Sequence, residues 1–365
     1  MKNKYLEKAM KIVNENEVFY FKDEIIDGVP YRIFNYKLAS YEDFNKDKFA
    51  LELRGLTINL ETGEYYLGLH KFFNDNENSF TMDDTNWNGK LECREKLDGS
   101  LIQCIVNNNK IYLKTKGTFN SNQVKEAQKL LNKNYKNFIL DMNKNGYFVF
   151  FEYISPFNQI VVEYPDSELR LIQIRNKNGN YLDYNQLKEL AEKYNIPYVK
   201  VEYYTLQELR KLQEEKEGIE GWVVRNKKEP LERQFRKFKT KWYFLRHHLI
   251  GPDNLAENKL IEHIINETID DVISQLPQEE KRNKIEEIRK KVSHYFDRTY
   301  SELLKLLEEK NNSNRKEFAL KYKDLPYFGV LMKAKNENEL EKLLKEKIIK
   351  DTSKLSKARE FLKVI

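Results

Sequence analysis

Lys96 stands in Glu95-Lys96-Leu97-Asp98-Gly99-Ser100, a lone lysine directly before an Asp-Gly turn and between two segments that read as β-strands. A lysine amine so placed can act as a covalent nucleophile toward the α-phosphate of a nucleoside triphosphate. It must be uncharged, aligned opposite the leaving pyrophosphate, and followed by backbone that lets the nucleotide approach. Asp98-Gly99 supplies the turn, and Gly99, lacking a Cβ, supplies the clearance. Read alone, the same six residues also describe a surface hairpin carrying one solvated lysine among many. Other residues must decide.

Such a transfer needs ligands for a divalent metal, cations for the triphosphate and a polar group for the ribose. In Phe150-Phe151-Glu152-Tyr153, Glu152 interrupts an apolar strand, where a carboxylate is costly unless it binds something; the plain alternative is an exposed edge position. In Ile219-Glu220-Gly221-Trp222-Val223-Val224, Glu220 opens another apolar strand beside a glycine, a natural place for a metal-binding carboxylate next to a phosphate, or else an ordinary turn carboxylate. Lys237-Phe238-Lys239 alternates basic and apolar positions, so a strand there points both ammonium groups to one face while Phe238 packs behind. Two like charges side by side call for an anion, and a triphosphate is one. Arg233, Arg236 and Lys241 also make the neighbourhood basic, so a solvated basic face accounts for the same pattern. Arg54, Lys71, Lys114 and Lys116 add cationic positions before and after the lysine, each weak alone.

The elements that must position these groups change character along the chain. From Glu17 to about Arg225, short strand-like runs alternate with turns: Tyr31 to Tyr36, Leu51 to Asn59, Leu101 to Val106, Lys110 to Lys114, Tyr147 to Ile154 and Leu169 to Arg175. Helices are expected at Ser121 to Lys133 and Tyr184 to Tyr194, giving an α+β half with a mostly antiparallel sheet. After Trp242 the apolar residues recur at helical spacing, with Leu260, Ile261, Ile264, Ile265, Ile269, Val272 and Leu276 followed by Ile285, Ile288, Val292, Tyr295, Phe296, Leu303, Leu304 and Leu307. Breaks between helices are expected at Pro277 and Asn311 to Asn314, and Gly251-Pro252 sits near the expected domain junction. The domains expected are 1–245, α+β, and 246–365, all-α.

Composition limits the alternatives. A hydrophobic content of 40% with 13% aromatics suffices for packed cores, and a formal charge of +6 from 64 basic and 58 acidic residues allows a polyanionic partner without requiring one. Cys93 and Cys104 are the only cysteines, too few for a disulfide framework or a metal cluster; packing in a reducing cytosol fits them. Residues 1–16 are charged and periodic, without the apolar core of a signal peptide. No window approaches the roughly 20 apolar residues that span a bilayer, so no membrane partner and a soluble, cytoplasmic protein are expected.

The set Lys96-Leu97-Asp98-Gly99, Lys116-Gly117, Phe151-Glu152, Glu220-Gly221 and Lys237-Phe238-Lys239 resembles, in order and spacing, motifs I, Ia, III, IV and V of the covalent nucleotidyltransferase superfamily of DNA ligases, RNA ligases and mRNA capping enzymes. Tyr31-Arg32-Ile33-Phe34-Asn35-Tyr36, Leu53-Arg54-Gly55, Lys71-Phe72-Phe73-Asn74 with Asn76-Glu77, and Trp242-Tyr243 are similar to the RNA ligase 1 family of T-even phages. The resemblance is dense over residues 30 to 245 and looser in the helical tail. It implies an antiparallel-sheet nucleotidyltransferase domain followed by an all-α RNA-specificity domain. It further implies ATP and Mg2+ (or Mn2+) as cofactors, Lys96 as the residue that takes AMP as a phosphoramidate, Glu152 near the ribose, Glu220 at the metal, and Lys237 and Lys239 at the α-phosphate. Tyr36, Arg54, Lys71, Glu95 and Lys116 join the nucleotide-binding set on the same grounds. The family's aromatic-Lys-x-Lys wording becomes Phe235-Arg236-Lys237-Phe238-Lys239-Thr240-Lys241, which leaves Lys239 and Lys241 as an alternative pair. Asp270-Asp271 falls where the family has an acidic pair linked to a second metal, and a solvent-facing helix pair is the competing reading. The five histidines, His247-His248 among them, lack metal-ligand spacing.

Within the superfamily, DNA ligases and capping enzymes continue from motif V into a β-barrel. About 120 residues with a helical apolar period cannot be redrawn as five strands. The tail's Tyr295, Arg298, Tyr300, Arg315, Lys316, Tyr322, Tyr327 and Phe328 suit a structured RNA, or a helical core for at least half of them. The expected reaction is ATP-dependent joining of RNA 5'-phosphate and 3'-hydroxyl ends through lysyl-AMP and RNA-adenylate, in repair of tRNA or another RNA. The expected partners are RNA, a cleaved tRNA included, and a separate end-healing kinase-phosphatase. A GTP-dependent capping-type guanylyltransferase and a non-catalytic RNA-binding protein of the same fold are the rivals.

Overall fold

The computed structural model describes residues 3–246, 256–274, 276 and 279–365; Gly251-Pro252, Pro277 and the His247-His248 pair lie outside them. The chain forms two compact units, one of Met1–Lys37 and Tyr41–Leu249, the other of Leu38–Ser40 and Ile250–Ile365. The first is α+β with three largely antiparallel sheets and the second, among the described residues, is helical.

In the first unit, β1 (Phe19–Ile26), β2 (Val29–Tyr36), β3 (Thr57–Asn59) and β4 (Tyr65–Tyr66) form a four-stranded antiparallel sheet in that order. The expected strand at Leu51 to Asn59 is shorter than its apolar run. Lys48–Leu53 coils as a 3-10 helix, and Gly55, at φ +89°, turns the chain before β3. After β5 (Phe73–Asn74) and β6 (Leu91–Lys96), a second sheet is built from β7 (Ser100–Asn107), β8 (Lys110–Lys114), β9 (Tyr147–Ile154) and β10 (Glu168–Asn176), ordered β10-β9-β7-β8. Ile102 and Cys104 of β7 and Val149 and Phe151 of β9 pack on helices that contribute Phe138, Ile139, Leu187 and Ala191. The helix expected at Ser121 to Lys133 is shorter, Asn122–Lys129, and a second, Lys133–Lys144, follows where none is expected, with Asn132 capping it by accepting from the N–H groups of Asn134 and Tyr135. The helix at Tyr184–Tyr194 is as expected.

The third sheet combines β5 and β6 with β11 (Val201–Tyr204), β12 (Gly221–Arg225) and β13 (Phe235–Lys239), ordered β11-β6-β12-β13-β5. Its pleat sends Leu91, Cys93, Trp222, Val224 and Phe238 into a core shared with Leu209, which leaves Arg94, Lys96, Lys237 and Lys239 on the opposite face. Phe238 therefore packs behind the two lysines as its alternation predicts.

In the second unit the helical apolar period becomes its core: Leu260, Ile261, Ile264, Val292, Phe296, Leu331, Leu340 and Leu344 cluster with the side chain of Leu38. Tyr295, Tyr300, Tyr322 and Tyr327 pack against that cluster, so four of the tail's aromatics serve packing. The Leu38–Ser40 segment is gripped there, with Ser293 Oγ donating to the Leu38 carbonyl (3.2 Å) and Arg289 Nη2 to that of Ala39 (2.6 Å). Asp270 pairs with the same Arg289 at 2.9 Å, a structural task within a helix bundle. No helix of the described residues is long and apolar enough to cross a membrane.

Candidate active site

Lys96 ends β6 and Ser100 begins β7, and these strands belong to different sheets. The turn Leu97-Asp98-Gly99 is thus a crossover between sheets, which removes the surface-hairpin reading. Asp98 is buried and pins the crossover: its Oδ2 accepts the N–H groups of Val161 (2.7 Å) and Val162 (2.8 Å), its Oδ1 accepts the Tyr243 hydroxyl (2.8 Å), and its own N–H donates to Tyr164 Oη (2.9 Å). A Cβ on Gly99 would lie 2.4 Å from the Tyr153 carbonyl oxygen and 3.1 Å from Glu152 Cγ. The clearance expected for a nucleotide is already taken by strand β9, and the glycine sets Glu152 beside the nucleophile's turn.

Across the third sheet, Gly221 is in register with Lys96 on one side and Lys239 on the other. At φ +146° a Cβ on Gly221 would fall 1.9 Å from the Phe238 carbonyl oxygen, so only glycine fits. That backbone lets Glu220, one residue before β12, reach over both neighbours. Its Oε2 holds Lys96 Nζ at 2.7 Å and its Oε1 lies 3.3 Å from Lys239 Nζ. The Glu220 side chain is only 4% exposed and that of Lys96 23%, so the lysine is the member of the pair that solvent and ligands can reach. Lys239 also lies over the Tyr243 ring, 5.3 Å from its centroid, which joins the basic strand to the Asp98 anchor.

Glu152, in register with Leu101 and Arg170, faces away from the helix-packed side of its sheet. It keeps a small exposed edge, yet protein encloses it. Burial pushes its carboxyl up to about 8; Glu220 and Asp98 push the same way, while Lys96 and Arg54 pull it down. Its side chain makes no hydrogen bond or ion pair among the described residues, which is what a group waiting for a ligand looks like.

Lys116 Nζ sits 4.8 Å and Lys71 Nζ 5.8 Å from the centroid of the Tyr36 ring, so one aromatic lies within reach of two of the expected cations. Arg54 donates from Nη1 to the Leu69 carbonyl (3.3 Å) and acts electrostatically on Glu152, linking this group to the carboxylates. Lys237 shares its face of β13 with Lys239, whereas Lys241 opens the following helix and pairs with exposed Glu214 at 2.8 Å. Of the two candidate basic pairs, only Lys237 and Lys239 flank the site. The pleat sends the Glu95 side chain to the face of its partner Trp222, away from Lys96. Tyr164, whose hydroxyl meets the crossover, carries no signal in the sequence, and Lys114, named there only as a weak cationic position, is fully buried. A tyrosine near the end of an irregular loop carries no periodic signal, and a lysine ending a strand reads as solvated.

The described residues hold no group of three or more His, Cys, Asp or Glu able to bind a metal by themselves. Glu220 offers hard carboxylate oxygens of the kind that suit a divalent ion whose shell phosphate and water complete. The family model for RNA ligase matches residues 52–245. A curated protein of Thermovibrio ammonificans, named "Putative RNA ligase", is 33% identical over 281 residues, covering 74% of this chain and 71% of that one. This chain belongs to the RNA ligase family. Among solved structures, the RNA ligase chain is similar to an archaeal ATP-dependent RNA ligase (15% identity, 78% of this chain and 75% of that one, TM-score 0.49). It is also similar to the Naegleria gruberi RNA ligase with pyrophosphate (16% identity, 48% and 57%, TM-score 0.39).

Proposed function

We propose that this RNA ligase joins RNA 5'-phosphate and 3'-hydroxyl ends at the expense of ATP, with Lys96 as the adenylylated residue. The observation that carries the reading is the Glu220 carboxylate holding Lys96 Nζ at 2.7 Å and Lys239 Nζ at 3.3 Å, with Glu152 unpaired beside them. Lys96 becomes a nucleophile only on leaving that ion pair without its proton, which passes to water. The amine nitrogen then gives its lone pair to the α-phosphorus while the bond to the bridging oxygen breaks and pyrophosphate leaves with that electron pair. Lys237 and Lys239 balance charge on the transferred phosphate; Arg54, Lys71 and Lys116 meet the remaining phosphates; Tyr36 lies along the nucleotide. Glu152, protonated until pH approaches about 8, has both a donor and an acceptor for ribose hydroxyls. Glu220, with Glu152 near it, would hold the divalent ion, which supplies positive charge beside the phosphate. AMP then passes to an RNA 5'-phosphate, and an RNA 3'-hydroxyl displaces it.

Incubation with α-labelled ATP and Mg2+ should give acid-labile label on the wild type and none on Lys96→Ala. Label on Lys96→Ala would remove the nucleophile assignment, and preference for GTP would favour a capping-type enzyme. The helical unit, which keeps Arg298, Arg315 and Lys316 exposed, is the proposed RNA-specificity module. Sealing of a cleaved tRNA, compared with a linear single strand and a duplex nick, reads it directly, and equal rates on all three would count against tRNA repair and any end-healing partner.

A further inference from the structure

Lys114 is the last residue of β8, and its side chain has no exposed surface. Burying a lysine is costly unless a counter-charge or a full set of acceptors meets it. Among the described residues no carboxylate contacts Lys114. Its Nζ instead faces three oxygens: the Gly55 carbonyl (3.3 Å), the Lys116 carbonyl (3.3 Å) and Gln103 Oε1 (3.4 Å). Three acceptors match the three protons of an ammonium. Glu24, an acid whose charge acts on it, is itself engaged by Thr118 Oγ1 (2.6 Å) and the Phe119 N–H (2.9 Å), while Arg54 and Lys116 oppose its charge. Burial drags its amine down to about 7.

The acceptors are informative by position. Gly55 follows Arg54, and Lys116 is itself a proposed nucleotide cation. The two turns touch: a Cβ on Gly55 would stand 3.0 Å from the Lys116 carbonyl oxygen and 3.4 Å from Lys114 Nζ. Gln103, opposite Lys114 in the β7–β8 ladder, is fixed in turn by donating to the Leu67 carbonyl at 3.0 Å. A methionine would fill the same volume without the burden of a buried charge, so packing alone does not explain a lysine here.

We propose that Lys114 is a positioning residue for nucleotide binding, its buried Nζ stapling the Arg54-Gly55 turn to the Lys116-Gly117 turn and so fixing the spacing of the two cations. This rests on the adenylylation reading above. The staple acts before chemistry, so it bears on KM for ATP rather than on turnover at saturation.

The test is self-adenylylation at varied ATP with wild type, Lys114→Met and Lys114→Gln. The methionine variant should keep a cooperative melt, raise KM for ATP about tenfold and leave the saturated rate within about twofold, with glutamine, which has two N–H donors, in between. Arg54→Ala and Lys116→Ala should each weaken ATP binding less in the Lys114→Met background than in wild type. Unchanged KM in a folded variant, or strictly additive double mutants, overturns the proposal; should Lys114→Met not fold, Lys114→Gln is held to the same outcomes. A wild type that takes no label from ATP would instead refute the adenylylation reading.

Discussion

The two units bury different things. The helical unit's core is leucine, isoleucine, valine and phenylalanine around Leu38, whereas the α+β unit encloses Lys71, Lys114, Asp98, Glu220, Arg94 and Arg236 among its buried residues. Buried charge detracts from stability unless partnered. The helical unit buries fewer charged side chains, Arg289 and Asp297 among them, and Arg289 is taken up by Asp270 and the Ala39 carbonyl within that unit. Lys96→Ala should break the first half of this contrast outright, lowering ATP labelling by roughly a thousandfold or more. Leu344→Ala should break the second half. Leu344 is 0% exposed, so its truncation should cost about 2–5 kcal/mol in urea denaturation of the whole chain, with labelling of Lys96 retained under folding conditions. Loss of labelling in a folded Leu344→Ala protein would mean that the apolar unit is not separate from the first step.

Within the α+β unit the contrast sharpens to neighbouring lysines. Lys239 is 11% exposed and shares Glu220 with Lys96, while Lys241, 52% exposed, pairs with exposed Glu214. Lys239→Ala should reduce the labelling rate by roughly a hundredfold at saturating ATP. Lys241→Ala should leave both stability and labelling unchanged. A reversal of these two results would reinstate the Lys239 and Lys241 pair.

Much of this arrangement was legible before any coordinates. The order Lys96, Glu152, Glu220, Lys237, Lys239 follows from residue types at strand positions, and the helical tail from an apolar period too regular for strands. What escaped was set by contacts between residues far apart in sequence. The crossover role of Asp98-Gly99 depends on Lys96 and Ser100 belonging to different sheets, a choice of partners that no local pattern encodes. Gly99 read as clearance for a nucleotide because the approach of Tyr153, more than fifty residues later, is invisible locally. Lys114 read as one of several weak cationic positions, since strand alternation tells which face a residue takes but not whether that face is covered. Leu51 to Asn59 read as one strand because its apolar run hides the turn at Gly55.

The smallest effect is also the most direct measure of how unlike the helical unit the site is. The Glu152 carboxyl ionises near 4.5 in an unfolded chain but holds its proton to about 8 in the folded one. Between those values the unfolded chain binds fewer protons than the folded chain, so this group subtracts stability as pH rises from about 4.5 to about 8, and the loss is complete above that window. Glu152→Gln removes the titration while keeping shape and a hydrogen-bonding amide. The variant's melting temperature relative to wild type should therefore climb by a few degrees through that window and level off beyond it. Lys96 and Arg54 lose a favourable charge in the variant, which trims the gain without changing its sign, because burial outweighs both in the folded carboxyl. A melting difference independent of pH would mean that Glu152 is well solvated, and the contrast between a unit rich in buried charge and one held mainly by apolar packing would lose its clearest example.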